Sequence, residues 1–255
     1  MFDLTILQAT AATVSTGAAK TSFGPWEAIV GGGPVTWTIA FVLTVMSIVS
    51  WYIMLTKLFE QRKVLTQSRD GVRAFWGASN IRDGAAKFEK NSAFRQLVDD
   101  GIKAEGEHGQ FTDQLDQHEW MQNSLRRSQD AVNAKLGTGL PFLATVGSTS
   151  PFVGLLGTVM GITRALVDIA KAGQADIATI AGPVGEALYM TAFGLVVAVP
   201  AVMGYNWLQR RNKVIAERMS TFCNDLHGDM MSGGKIRPQV RASAPAKTAA
   251  APAKA

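Results

Sequence analysis

Three long stretches that lack Asp, Glu, Lys, Arg and His constrain this chain more than any other feature of its sequence. They cover residues 35–56, 140–163 and 187–209, with 22, 24 and 23 residues. About 20 helical residues at ~1.5 Å each cross the hydrocarbon core of a bilayer, so each stretch is long enough to span it. The sequence therefore predicts an all-α integral membrane protein with three transmembrane helices in a phospholipid membrane, the third beginning near residue 181.

The distribution of Lys and Arg predicts how the chain is oriented. Of the 25 basic residues, 13 lie in 57–139 and nine follow residue 209, whereas 1–34 contains only Lys20. Because Lys and Arg are retained on the cytoplasmic side, we expect the N-terminus outside and the C-terminus inside. The net charge of +5 reflects these flanking bases. No basic run alternates with stacking aromatic residues, so we expect no nucleic-acid partner.

These boundaries divide the rest of the chain into soluble parts. In the helical domain, Phe94, Leu97, Val98 and Ile102 recur at three- and four-residue steps, the spacing of an amphipathic helix. A later helix, beginning near Thr112, is expected to run directly into the second span. The predicted parts are a periplasmic arm with a short interfacial helix (1–34), a cytoplasmic helical domain (57–139), a periplasmic loop (164–180), and a cytoplasmic helix followed by a disordered tail (210–255).

Two polar features of the soluble parts have modest interpretations. Seven acidic residues cluster between Asp99 and Glu119, and they form either a solvated face or a negatively charged exit for cations. Cys223 is the only cysteine of the chain, so it forms no internal disulfide. With no pair of histidines near it in the sequence, it indicates no metal site, and we expect an inert thiol and no cofactor.

The second and third spans are rich in small residues at helical spacing. Small residues allow two helices to approach closely where lipid provides no hydrophobic drive for association. We therefore expect these spans to pack tightly on each other or on a second copy of the chain. The residues concerned are Gly154 with Thr158 and Gly157 with Gly161 in the second span, and Ala187, Thr191, Gly194, Ala198 and Ala201 in the third.

Glu186 is the one acidic or basic side chain that can lie in the hydrocarbon. A carboxyl group in that position is costly, faces the interior of the bundle, and favours its protonated form. Such a group can take a proton from one side and release it to the other, with Thr158 and Thr191 as hydroxyl neighbours. Alternatively, Glu186 anchors the first turn of a helix that begins near Gly182 and Pro183. Its position alone leaves both interpretations open.

The sequence contains no recognisable enzyme site. No nucleophile and base are paired in the spans, and the glycine-rich stretch Gly154–Gly161 lacks the following Lys-Ser or Lys-Thr of a phosphate-binding loop. A secondary transporter is also disfavoured, because the third span is apolar and no inverted repeats are visible.

Two long motifs resemble a known family. GLPFLATVGSTSPFVGLLGTVMGI (139–162) and GPVGEALYMTAFGLVVAVPAVMGYN (182–206) are similar to the ExbB/TolQ branch of the MotA/TolQ/ExbB proton channel family. The resemblance implies a homopentamer in the bacterial inner membrane whose second and third helices line a pore. It further implies an ExbD-like partner in that pore, proton flow that energises TonB, and pore residues at Thr158, Glu186 and Thr191.

Within this branch, the Ala/Thr-rich arm and the Ala-Pro-Lys tail favour the ExbB type over the TolQ type. One departure is visible, because Ala181-Gly182-Pro183 stands where the family commonly has Ala-Pro-Gly. This order changes the expected entry into the third span but leaves the glutamate in place. A passive scaffold for TonB and its partner is the competing hypothesis to a proton-driven ring.

Overall fold

The computed structural model describes residues 33–108, 117–173 and 177–238, and every helix and turn below lies within them. The arm predicted at 1–34 and the disordered tail, which the Ala-, Pro- and Lys-rich sequence predicts from Lys235 onward, fall almost entirely outside the described residues. The described elements are helical, and no strand occurs in these three ranges. In chain order they are α1 (Gly33–Thr66), a π-helical turn (Gln67–Gly71), α2 (Val72–Trp76), α3 (Ile81–Ala85), α4 (Ala93–His108), α5 (Gln117–Gly137), α6 (Leu140–Ala172) and α7 (Ile177–Met231).

Long helices form here because the apolar stretches contain few breakers and satisfy their own polar groups. Pro34 stands in the first turn of α1, where its missing N–H removes no helical hydrogen bond. The hydroxyls of Thr38 and Thr44 donate to the carbonyl oxygens of Pro34 and Ala40, at 2.9 and 2.7 Å. Internal satisfaction of this kind is what a helix needs in lipid.

Three helical stretches in the described part of the chain are long and apolar enough to cross a membrane: Gly33–Trp76, Gln117–Lys171 and Gly182–Met231. Large apolar side chains on them are widely exposed, among them Phe41 at 69%, Phe152 at 70% and Val196 at 67%. So much exposed hydrocarbon is unfavourable in water and favourable in a bilayer or against another chain. For the described residues, the prediction of an all-helical chain with three helices able to span a membrane is confirmed.

The helices divide into two compact units. The first comprises the described residues up to Val49 together with Thr145–Val202, and thus parts of α1, α6 and α7. Its apolar core joins these three helices through Ile39, Leu43, Val146, Met190 and Val197. Glu186 and both small-residue motifs belong to this unit.

The second unit comprises Ser50–Ala144 and the described residues from Met203 onward. Its largest core is aromatic at the centre, where Phe75, Phe88, Phe94 and Phe222 lie with ring centroids 5.3 to 6.1 Å apart in the contacting pairs. Leu97 and Val98 of α4 are fully buried beside them, as their spacing predicted.

A buried polar network also ties this second unit together. Gln61 of α1 is completely buried, and its Nε2 donates to the carbonyl oxygen of Leu208 at 2.9 Å and to Oδ1 of Asn212 at 2.6 Å. Asn212 Nδ2 in turn donates to the carbonyl oxygen of Leu136 at 3.1 Å. Since buried polar groups are costly unless paired, this network fixes α1, α5 and α7 in one register.

Two predicted connections are corrected. The helix before the second span does not run directly into it, because α5 ends at Gly137 and α6 begins at Leu140. Gly139 has a φ of +86°, which a glycine adopts without the steric cost that other residues meet. The loop predicted at 164–180 is much shorter, since RALVDIAKA contains no breaker and α6 continues to Ala172, where Gly173 (φ +67°) ends it.

Candidate functional site

Glu186 lies inside a helix and not at its start. The helix α7 begins at Ile177, so nine residues, about two and a half turns, precede the carboxylate. The favourable effect of a helix N-terminus on an acid is confined to the first turn. The interpretation of Glu186 as an anchor of the first turn is therefore wrong.

Gly182 and Pro183 also lie within α7. Pro183 lies inside the helix, one turn before Glu186. A proline there has no N–H to donate, so one backbone carbonyl of the preceding turn loses its helical partner. The turn that leads into Glu186 thus has one hydrogen bond fewer than a regular helical turn.

The side chain of Glu186 is partly buried and borders a cleft of about 610 Å³. The cleft lies within the first unit, between the start of α1 and the facing parts of α6 and α7. Its walls are apolar at Val35, Met160 and Met190, and three charged residues of α6 complete them: Arg164, Asp168 and Lys171. A carboxyl group here has both an apolar surround and charged neighbours.

The two threonines of the predicted pathway lie apart from this cleft. Thr158 is only 8% exposed, and its hydroxyl donates to the carbonyl oxygen of Leu155 at 2.7 Å. Thr191 is partly buried near the contact of α6 with α7, where its Cα lies 3.1 Å from the position of a Cβ added to Gly154. Within one chain, then, only Glu186 of the three residues borders the cleft, and the pathway role of all three stays a prediction.

The small residues of the two spans face each other. A Cβ added to Gly154 would lie 2.6 Å from the carbonyl oxygen of Met190, and one added to Gly161 would lie 3.1 Å from the Cβ of Ala187. Gly157 faces the side chain of Met190, and Gly194 faces Gly154. Ala187 and Ala198 are 2% and 5% exposed. The small side chains allow α6 and α7 to approach closely within the chain.

Arg164, Asp168 and Lys171 were assigned to a loop in the sequence analysis, and their place beside Glu186 was missed. The available signal was the helical spacing of Gly157, Gly161 and Arg164. Seven residues are about two turns, so Gly157 and Arg164 are displaced by only ~20° around α6. The apolar stretch ends at Thr163, but the helical face that meets α7 continues past it.

This arrangement is suited to binding and releasing a proton. The carboxyl of Glu186 is the titratable group, and the cleft connects it with charged residues at the end of the apolar stretch. Among the described residues, no three side chains of His, Cys, Asp or Glu come together in a way that would hold a metal ion.

Comparison with known proteins identifies relatives. The sequence profile of the MotA/TolQ/ExbB proton channel family matches residues 89–221. The biopolymer transport protein ExbB of Xanthomonas campestris pv. campestris is 37% identical over 217 residues, which cover 81% of this chain and 86% of that protein. ExbB of Neisseria meningitidis is 33% identical over 208 residues, covering 77% of this chain and 92% of that protein. The Tol-Pal system protein TolQ of Pseudomonas aeruginosa is 32% identical over 213 residues, covering 78% and 89%.

Proposed function

The chain belongs to the MotA/TolQ/ExbB proton channel family, and we propose that it is the ring-forming subunit of a proton-driven motor in the bacterial inner membrane. In this proposal several copies, five by resemblance to the family, surround an ExbD-like partner that has a single membrane span. The ring and partner use the proton motive force to energise TonB, which drives import through outer-membrane transporters. The N-terminus lies outside and the cytoplasmic helices inside.

The position of Glu186 is the observation that carries this proposal. It stands in the interior of α7, borders a cleft, and is the one acidic side chain that directly adjoins an apolar stretch. A carboxyl in hydrocarbon is costly, and such groups mark proton relays in membrane proteins. Moving one charge through 100 mV releases about 2.3 kcal/mol, so several protons per cycle can do mechanical work.

The exposed apolar surface supports a ring. Leu155 and Val159 of α6 and Leu188 and Val196 of α7 are between 51 and 67% exposed in the single chain. Lipid or neighbouring copies would cover them. Within one chain, Thr158 and Thr191 do not border the cleft of Glu186. In the ring, the threonines of the neighbouring copy would complete the pathway.

The ExbB type is favoured over the TolQ type by its relatives. The two proteins named ExbB are 37 and 33% identical to this chain, and TolQ of Pseudomonas aeruginosa is 32% identical. The Ala/Thr-rich arm and the Ala-Pro-Lys tail point the same way. A TolQ-like role in the Tol-Pal envelope system is the second candidate, and a non-conducting scaffold for TonB is the third.

Replacement of the native gene by a Glu186→Gln variant tests the proposal. The amide keeps the shape of the side chain and removes its titration, so we expect import of iron-siderophore complexes to be lost. Glu217→Gln is the matched control, because it makes the same change at an exposed position of the same helix. Mass measurement of the intact complex verifies that both variants assemble with the partner.

The three candidates give different results in this experiment. A scaffold predicts normal import with Glu186→Gln and failed assembly with Gly157→Leu or Ala198→Leu. A TolQ-like subunit predicts normal import on deletion of the gene and a defect in envelope integrity instead. Loss of import with Glu186→Gln alone, in an assembled complex, supports the motor of the ExbB type.

A further inference from the structure

A large cleft lies within the second unit, where two of the apolar stretches end. It has a volume of about 950 Å³ and is bordered by the junction of α5 with α6 on one side and by α7 on the other. On α6 it begins at Leu140, the first residue of one apolar stretch, and on α7 it extends past Gln209, the last residue of another. The cleft therefore crosses the boundary between hydrocarbon and water that these stretches define.

The polar end of this cleft is positively charged, and we call it the basic cleft. Its two charged residues are Arg210 and Lys213 of α7, and no acid occurs among the described residues that border it. Both bases are exposed, and neither forms an ion pair within the described ranges. Residues three apart on a helix are neighbours, so these two like charges repel each other. An anion bound between them would offset that repulsion.

The other end of the basic cleft is apolar. Leu140, Pro141 and Ala144 of α6 form one wall, and Leu140 is only 4% exposed. Tyr205 of α7 borders the cleft as well and packs against the buried leucine cluster that contains Leu140. All four residues belong to the apolar stretches, so this end of the cleft lies on the hydrocarbon side of the boundary.

Buried contacts hold the walls of the basic cleft in place. Asn212 borders the cleft and donates through Nδ2 to the carbonyl oxygen of Leu136 at 3.1 Å, which joins α7 to α5. Its Oδ1 accepts from Nε2 of the buried Gln61 at 2.6 Å. Beside Gly137 the cleft is open, because an added Cβ would meet nothing within 4 Å. A ligand thus enters a space that the fold has already formed, which lowers the cost of binding.

An amphiphile with an anionic head matches both ends of this cleft. A soluble anion would leave the apolar wall uncovered, and a hydrocarbon chain alone would leave Arg210 and Lys213 without a counter-ion. An anionic phospholipid joins a phosphate to acyl chains, and arginine binds phosphate through paired N–H donors. The amides of Asn206 and Gln209 border the cleft as neutral donors. Basic pockets between membrane helices are suited to anionic headgroups.

The charge of the cleft also separates two kinds of phospholipid. The headgroup of a zwitterionic phospholipid adds an ammonium group to the phosphate. That ammonium would meet Arg210 and Lys213 and no acid among the described residues of the cleft. An anionic phospholipid has no such repulsion and is therefore preferred.

We propose that the basic cleft binds one anionic phospholipid, with its phosphate between Arg210 and Lys213 and its acyl chains along Leu140, Ala144 and Tyr205. The lipid joins the start of α6 to α7 at the boundary of the membrane. This inference goes beyond the proposed function, since none of these residues borders the cleft of Glu186.

Native mass spectrometry of the purified protein in detergent, in the oligomeric form that it takes, counts the lipids bound to it. Phosphatidylglycerol is the anionic probe, phosphatidylethanolamine with the same acyl chains is the zwitterionic probe, and inorganic phosphate is the soluble probe. We expect phosphatidylglycerol to saturate at one lipid per chain and to bind more tightly than phosphatidylethanolamine. An excess of inorganic phosphate should not displace it.

Substitutions in and beside the cleft locate the lipid. Arg210→Gln and Lys213→Gln should each weaken phosphatidylglycerol binding about fivefold, which is what one base near an anionic headgroup contributes. Arg211→Gln is the matched control, because Arg211 does not border the cleft and lies over the ring of Trp207, 4.8 Å from its centroid. This control should bind the lipid like the unchanged protein. Gly137→Leu fills the open space and keeps both charges, so it should also weaken binding.

Each of four results would overturn this assignment. Equal affinities for the two phospholipids would remove the preference for an anion, and displacement by inorganic phosphate would make the ligand a soluble one. Equal weakening by Arg211→Gln and Arg210→Gln would indicate general attraction to a basic surface. An unchanged protein that binds no lipid, together with loss of the oligomer in the Arg210→Gln, Lys213→Gln double variant, would place a second copy of the chain in the cleft.

The intact mass of the oligomer verifies that each variant assembles. Arg210 and Lys213 are exposed, so their substitution leaves the packing of the unit unchanged, and these two variants decide the test even where Gly137→Leu fails to assemble. Loss of phosphatidylglycerol from assembled Arg210→Gln and Lys213→Gln oligomers, with full binding in Arg211→Gln, supports the lipid site.

Discussion

Gly154 of α6 and Gly194 of α7 lie against each other, backbone to backbone. A Cβ added to Gly154 would be 3.3 Å from the Cα of Gly194, and one added to Gly194 would be 2.6 Å from the carbonyl oxygen of Ser150. Backbone atoms cannot move aside as a flexible side chain can. Gly194→Val should therefore force the two helices apart and destabilise the protein by about 1–3 kcal/mol, seen as a lower midpoint of thermal unfolding in detergent.

Gly228→Ala is the control for this substitution. It lies in the same helix, and a Cβ there meets nothing within 4 Å. Because alanine favours a helix by up to about 1 kcal/mol over glycine, this variant should be equal to the unchanged protein or more stable. A Gly194→Val variant that unfolds at the same temperature as Gly228→Ala would refute the close approach of α6 and α7.

Arg237, which follows the end of α7, binds the buried carboxylate of Asp229 in that helix. Its Nε lies 3.3 Å from Oδ1 of Asp229, which is 1% exposed, and its Nη atoms donate to the carbonyl oxygens of Ala78 and Ser79 at 2.8 and 2.9 Å. Arg237→Ala should cost about 1–3 kcal/mol in the free energy of unfolding, because the buried acid loses its counter-ion. Denaturant unfolding measures the loss.

A second substitution tests the reason for that loss. In the Arg237→Ala background, Asp229→Asn removes the unpaired charge and should recover part of the stability. If Asp229→Asn instead destabilises the Arg237→Ala variant by as much as it destabilises the unchanged protein, the two side chains act independently. The ion pair then does not explain the effect.

A pair of histidines makes stability depend on pH. His227 Nε2 lies 2.9 Å from Nδ1 of His118, and burial, followed by the charge of His118, lowers the pKa of His227. The unfolded chain, with an ordinary pKa of about 6.5, therefore binds a proton more readily than the folded chain. Stability should be fully present above about pH 6.5 and decline as the pH falls below it.

The measurement for this pair is the midpoint of thermal unfolding between about pH 7.5 and 5. The two histidines border a separate cleft together with Arg126 and Asp130 of α5 and Cys223 of α7. These three residues remain unchanged in the His227→Gln variant. That variant should show a weaker decline toward acid than the unchanged protein. Parallel curves for the two proteins would contradict the assignment to His227.

Cys223 should be an unreactive thiol in the folded protein. It is 6% exposed, and burial raises its pKa from 9.0 to about 12. Since the thiolate is the reactive form, a pKa raised by about three units lowers the thiolate population about a thousandfold at any pH below 9. Maleimide labelling at about pH 8 should be slow in the folded chain and fast after denaturation, whereas equal rates would show that the thiol is open to solvent.

The three apolar helices and the candidate residue Glu186 could be recognised in the sequence because both are local signals. Apolar stretches of 22 to 24 residues have few alternatives to a membrane helix, and Glu186 is conspicuous beside one of them. The ends of the helices were less predictable. The continuation of α6 to Ala172 depends on the absence of a breaker in a polar stretch, and charge alone suggested a loop there.

Long-range packing was the part that could not be predicted. Phe75, Phe88 and Phe222 form one aromatic cluster, although the last is far from the others in the sequence. The approach of Arg164 to the N-terminus of α1 is of the same kind. Periodicity predicts which face of a helix is buried but does not determine which other helix covers it.

Proton flux through liposomes that contain the ring and its single-span partner tests the central claim most directly. With a pH gradient imposed, the unchanged complex and the Glu217→Gln control should carry protons at the same rate. The Glu186→Gln complex, shown to be assembled by its intact mass, should fall to the leak of empty liposomes. A Glu186→Gln complex that conducts like the unchanged one would contradict the assignment of the proton pathway to Glu186.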